Sequence, residues 1–178
     1  MILNIYKTNN DRVILTIVIR FTDMQRRVKE ESSHLAIRTR DKEGTSLFDE
    51  FVLDEGYETK FRSYFYSAQG ELSQYLSAYT KDVPVSSSYL DTSAVNSVSS
   101  EDWKVILPMP SNFNEAVSKS IGFKIEDFFE NYIMWLWLST KDAYRAEVYL
   151  TLSHKLAEEI KNLLNRRSEN ITRPNCYW

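Results

Sequence analysis

ENYIMWLWLSTKD, Glu130 to Asp142, is the stretch on which the fold turns, because Ile133, Met134, Trp135, Leu136, Trp137 and Leu138 stand side by side. A helix with one wet face interleaves polar residues every third or fourth position, so six consecutive apolar side chains project all round the axis. Trp135 and Trp137 are two apart, which on a helix of 3.6 residues per turn sets them about 200° apart. One core does not easily take both, so the expectation is that one tryptophan faces a helical bundle and the other a partner. A membrane is not that partner. The run is six residues where a spanning helix needs about 20, and Glu126, Asp127 and Glu130 stand just before its apolar centre.

Working outward, Asn112 and Glu115 offer a cap for this helix, along which Ile121, Ile125, Phe128, Tyr132 and Leu136 form a stripe. Beyond it, Ser139 with Asp142 caps a last helix with Ala146, Tyr149, Leu156, Ile160 and Leu163 inward and Lys155, Glu158, Glu159, Lys161, Arg166 and Arg167 outward. Upstream, Phe61, Phe65, Ala68, Leu72, Leu76 and Tyr79 recur at steps of three and four, which predicts an amphipathic helix over about Glu58 to Thr80. Thr22 and Gln25 have capping-box spacing before MQRRVKEESSHLAIR, predicting a polar helix from about Asp23 to Arg38, and Ser46 with Asp49 repeats the signal ahead of FDEFVLDEG. Two β-like runs, MILNIY and RVILTIVIRF, flank the turn formers Asn9, Asn10 and Asp11, and WKVIL reads as a short strand closed by Pro108 and Pro110.

The fold class is therefore mainly α: a bundle of about four helices with a small β element, an N-terminal hairpin and a short strand near 103–107. Residues 1–21 read as a β-like N-terminal extension, 22–167 as the helical domain and 168–178 as a C-terminal arm. Segment 81–101, KDVPVSSSYLDTSAVNSVSSE, holds eight serines and threonines and matches no period; it is either a binding loop or a solvated connection.

Composition narrows the function. The 178 residues suit one domain, and 43% hydrophobic content with four Trp, eleven Tyr and nine Phe fills a core. Only four glycines and four prolines fit long regular elements. A net charge of -3 lacks the basic excess that grips nucleic acid. Cys176 stands alone, so neither an internal disulfide nor a cysteine-based zinc cluster is available. MILNIYKTNNDRV has no basic segment leading into a long apolar one, so no secretory signal is expected and the chain is expected to stay in the cytosol. Without secretion the Asn170-Ile171-Thr172 sequon is idle.

Nucleotide, hydrolase and zinc signatures are missing from the sequence, and the histidines His34 and His154 fall on different helices, where each reads as a surface residue. The acids Asp49, Glu50, Asp54, Glu55 and Glu58, and Glu126, Asp127 and Glu130, read as helix-start or solvated charges before they read as general acid-base pairs. No catalytic, cofactor or metal residue is assigned. In the tail, Tyr177 and Trp178 follow Arg173 and Pro174 and are interface-type aromatics, which makes the tail a candidate docking arm.

The order of these elements is itself informative. EGYETKFRSYFYSAQGELSQYLSAYT, a variable loop, a short strand with prolines, the WLWL helix, the S-T-K-D cap and a final helix running through LLNRR into a TRP-containing tail follow one another. Together they resemble the head-tail connector proteins of tailed bacteriophages, also called adaptor or head-completion proteins, and most of all those from phages and prophages of gut Bacteroidetes. The likeness covers about residues 45–174 and is one of pattern and order. It implies a virion structural protein at the head-tail junction, made in the host bacterial cytoplasm and assembled with copies of itself into a ring, typically of about twelve copies. Such a ring sits below the portal protein, extends and seals the DNA channel without specific DNA binding, and receives the tail or further ring proteins. Carried to this chain, the resemblance implies a lateral surface including Trp135 or Trp137 and an arm from Ile171 to Trp178, with Arg173, Pro174 and Tyr177 between. The chain departs from the pattern in its longer β-like start and its extended serine-rich loop. Two other readings stay open: a cytosolic helical adaptor or regulator that oligomerises through the Trp-rich helix, and an enzyme using Glu126, Asp127 and Glu130.

Overall fold

A computed structural model describes residues 1–7, 13–39, 48–80 and 101–168, apart from the side chains of Asp49 and Glu55. The turn at Asn9 to Asp11, the proposed cap at Ser46, most of the serine-rich segment and the whole of Ile171, Arg173, Pro174, Tyr177 and Trp178 lie outside the described residues. The chain is mainly helical with a small antiparallel sheet, in the order β1 (Ile2–Lys7), β2 (Val13–Ile19), α1 (Phe21–Arg38), α2 (Phe48–Phe51), α3 (Glu58–Thr80), β3 (Trp103–Met109), α4 (Ser118–Leu138) and α5 (Ala143–Leu164). Single 3-10 turns at Glu55–Tyr57 and Glu115–Val117 lead into α3 and α4.

The sheet order is β1-β2-β3, both pairs antiparallel, with Leu3 opposite Ile17 and Leu15 opposite Leu107. The unbroken apolar run of β2 places it at the centre, where all seven of its residues are buried. Val13, Leu15, Ile17 and Ile19 join Phe61, Phe65, Phe128 and Phe129 in one core, so β2 packs with the helices. β3 runs two residues past its expected end, through Pro108 to Met109. It is an edge strand, where a proline N–H can be missing at no cost to the ladder.

Helix periodicity holds while the expected caps move. α3 has the expected bounds, and Phe61, Phe65, Ala68, Leu72 and Leu76 are its buried face. α1 starts at Phe21 with no side-chain cap from Thr22; the Phe21 N–H instead donates to Asp102 Oδ1 at 2.9 Å, 81 residues away in sequence. Asn114, and not Asn112, accepts from the Ala116 N–H and starts the turn into α4. Asp142 is itself the N-cap of α5, accepting from the Arg145 N–H at 3.1 Å, while Ser139 ends α4. In each case the carboxylate or amide satisfies an N–H that the first helical turn cannot pair internally.

Aromatic edges lock the centre. Phe21 meets Phe61 and Phe65 edge-on at 5.0 and 5.3 Å between centroids, and Phe129 lies 5.1 Å from Phe65 and 5.2 Å from Trp103. Each fully buried ring contributes roughly 1.5–3 kcal/mol from removal of apolar surface from water. Among the described residues no helix is long and apolar enough to cross a membrane.

Candidate functional site

α4 is the central helix, packed against α5, α3, α1 and the sheet. That position explains its sequence: Ile133, Met134, Trp137 and Leu138 are buried within the chain, and only Trp135 and Leu136 keep partial exposure. The second side of the helix is covered by this chain's own residues. Over Trp137 the cover is the segment from α2 to the turn before α3, whose Phe51, Val52 and Leu53 are buried. Trp137 Nε1–H donates to the Phe51 carbonyl at 2.7 Å, and Tyr57 presents its edge at 4.9 Å. Trp137 is 2% exposed, so it belongs to the interior and is not available for a subunit contact.

Lys141 closes the same corner. Its Nζ stands 3.1 Å from the Trp137 ring centroid and donates to the Glu50 carbonyl. Burial, with Lys60 nearby, pulls the Lys141 pKa down to about 8, although much of the side chain is exposed and Glu50 acts in the opposite direction. The ring face also favours the charged ammonium.

Trp135 is different. It sets an edge on Tyr132 at 4.9 Å and stays half-buried, the one tryptophan of the pair with surface left. Burial raises the Tyr132 pKa, with Glu71 adding to the effect.

The acids before the apolar run have a structural employer. Arg27 of α1 reaches across to α4, with Nη1 3.2 Å from Glu126, Nη2 2.8 Å from Asp127 and Nε donating to Glu130 at 2.8 Å. The Met1 amine adds a second cation, 3.1 Å from Glu126 and 3.5 Å from Asp23. Burial opposes the charged Arg27 guanidinium, but bonds to Asp127 and the charge of Glu130 outweigh it and the pKa is raised. At Glu130 burial wins over Arg27 and the carboxyl pKa is raised. Three carboxylates held by one guanidinium form a clamp between α1 and α4, with their oxygens already engaged. Among the described residues no group of His, Cys, Asp and Glu is placed to hold a metal ion.

Surface features that sequence reading missed lie elsewhere. Tyr144 is 80% exposed, Val148 47% and Leu152 42%, and they succeed each other at steps of four along α5, lining an open hollow of about 300 Å³ with Glu147 and Thr151. Phe123 on α4 is 57% exposed, and Ile5 and Tyr6 on the edge strand β1 are also exposed. The step-of-four spacing of the α5 residues is a legible signal, opposite in phase to the inward set. His34 and His154 are both exposed, as expected. After α5 the chain is tied back to the start of the α4 region, where the Ser168 N–H donates to the Asn112 carbonyl at 2.8 Å and Arg167 forms a β-bridge with Phe113.

Comparison with protein-family models, with curated proteins and with solved structures returned no match to this chain.

Proposed function

We propose that the chain is a structural subunit of the ring-shaped head-tail connector of a tailed bacteriophage, seated below the portal protein, extending the DNA channel and joining capsid to tail. The supporting observation is surplus apolar surface on two separate elements after the core is filled. α5 carries Tyr144, Val148 and Leu152, and β1 carries Ile5 and Tyr6, all exposed. A closed ring repeats one heterologous contact, which joins two different surfaces of the same subunit. A chain that works in such a ring therefore carries two unlike apolar patches, whereas a monomer gains nothing from them. Of the two tryptophans offered by the sequence for the lateral contact, Trp137 is spent inside the chain and Trp135 keeps only partial exposure, so the main contact is placed on the α5 stripe. A net charge of -3 agrees with a channel through which DNA slides without being gripped. The role is assembly, with no chemical step.

The test is co-expression with the portal protein of the same genome and electron microscopy of the purified particles. An added ring on the portal, lost when Tyr144 and Val148 are both changed to Glu, is the expected result. Removal of residues 171–178 reports separately on the arm. A portal that stays bare under all conditions overturns the proposal in favour of a cytosolic adaptor.

A further inference from the structure

A cleft of about 550 Å³ opens between the second half of α1 and the first turns of α5, lined by Glu31, His34, Leu35, Arg38, Arg145 and Tyr149. Glu31, His34, Leu35 and Arg38 recur at helical spacing and so share one face of α1, with Glu31 and Arg38 about 10 Å apart along the axis. The two helices meet antiparallel here. Tyr149 donates its hydroxyl to Glu31 Oε1 at 2.7 Å, and Arg145 Nη1 donates to Thr39 Oγ1 at 2.5 Å. The cleft is therefore polarised, with an acceptor end at Glu31 and Tyr149 and a cationic end at Arg38 and Arg145.

The two ends differ in how far their chemistry is used up. At the acceptor end, burial raises the Tyr149 pKa and the bond to Glu31 raises it further, so the hydroxyl stays a neutral donor committed to Glu31. At the cationic end, Arg145 Nε sits 3.3 Å from Asp142 Oδ2 and is partly neutralised. Arg38 and His34 are exposed and have no hydrogen-bond or ion-pair partner among the described residues. A guanidinium fork without a carboxylate, beside a second guanidinium and an imidazole at the lip of a walled cleft, is a donor array for an oxyanion. The volume is in the range of small-molecule sites, and Leu35 with the Tyr149 ring supplies an apolar wall.

We propose that this cleft binds a small molecule carrying an oxyanion, phosphate or carboxylate, gripped by Arg38 and Arg145 with His34 beside them. Arg38 makes the principal contact, since its charge is the one left uncompensated among the described residues. Glu31 turns its second carboxylate oxygen to a hydroxyl or amine on the same ligand, so that the two ends of the cleft read the two ends of the molecule.

Sulfate and acetate are the probes, titrated at constant ionic strength into the full chain while the Arg38 Nε–H, the Arg145 Nε–H and the His34 ring are followed by NMR. The expected result is saturable binding of at least one of the two. Arg38→Gln should weaken it at least tenfold and Arg38→Lys by less, because the lysine keeps the charge and loses the fork. Sulfate alone saturating assigns a phosphoryl group, and acetate saturating assigns a carboxylate. Arg38→Gln should leave the thermal midpoint unchanged, which separates loss of ligand from loss of fold. No saturation with either probe, equal shifts at the remote surface arginine Arg26, or Arg38→Gln binding at wild-type strength would each overturn the proposal.

Discussion

Trp137→Phe and Trp135→Phe apply the same chemical change two residues apart, and the fold says that they should differ. Trp137 is 2% exposed and its indole N–H is bonded to the Phe51 carbonyl at 2.7 Å. Phenylalanine keeps an aromatic ring but cannot donate, which leaves that carbonyl buried and unpaired at a cost of about 1–3 kcal/mol. The smaller ring also gives up packing against Tyr57 and weakens the perch of Lys141, for about 1 kcal/mol more. The expected loss is about 3 kcal/mol, or roughly 6–12 °C in thermal midpoint for a domain of this size. Trp135 is half-buried, and its N–H has no protein partner among the described residues, so Trp135→Phe should cost under about 1 kcal/mol. Urea unfolding followed by far-UV circular dichroism measures both. If the two variants lose equal stability, or Trp137→Phe loses less than about 0.5 kcal/mol, the assignment of Trp137 as the pinned core tryptophan is wrong.

Arg27→Gln should destabilise by about 2 kcal/mol, between the values for exposed and buried pairs, since it leaves Glu126, Asp127 and Glu130 facing one another. The deficit should grow with pH. Glu130 already has a raised pKa, so its protonated form is favoured in the fold and its contribution is lost as pH rises through that pKa; without Arg27 the pKa rises further and the slope steepens. Unfolding at pH 5 and pH 7 reads this, and a deficit no larger at pH 7 would refute it. Asp102→Ala should cost about 1 kcal/mol by uncapping α1, visible as lower helicity and an earlier melt; an unchanged midpoint would mean the cap is idle. Ser118 Oγ is buried with no hydrogen-bond partner among the described residues, so Ser118→Ala should stabilise by up to about 1 kcal/mol in the same melt, and a loss of stability would reveal a partner for that hydroxyl.

The fold was largely legible because its signals are local. Steps of three and four gave α3 its bounds, and the unbroken apolar β2 run read as strand because it is too short and too rich in Val and Ile for the helix alternative. The caps were not legible for the same reason in reverse. Thr22 and Gln25 have the right spacing, yet α1 is capped by Asp102, a carboxylate delivered by the turn before β3. Nothing within a few residues of Phe21 announces it. The clamp is the same kind of event: Glu126, Asp127 and Glu130 look like solvated helix charges until α1 brings Arg27 across to them.

The aromatic run illustrates how far a correct geometric premise carries: Trp137 takes an interior side and Trp135 keeps surface. Trp135 and Trp137 do point to different sides of α4, but a helix surrounded by α1, α3, α5 and a sheet has more than one interior side. Apolarity all round an axis thus measures how central a helix is before it measures how many chains it touches. The surplus that bears on partners is where polar neighbours dilute it. In AYRAEVYLTL, Ala143 to Leu152, the inward Ala146 and Tyr149 and the outward Tyr144, Val148 and Leu152 interleave with Arg145, Glu147 and Thr151, so the stretch looks like one ordinary amphipathic helix. Its outward set has no burial among the described residues to account for it, and the central tryptophan does. That asymmetry is why the proposed ring contact is better sought on α5 than on the helix whose sequence first suggests it.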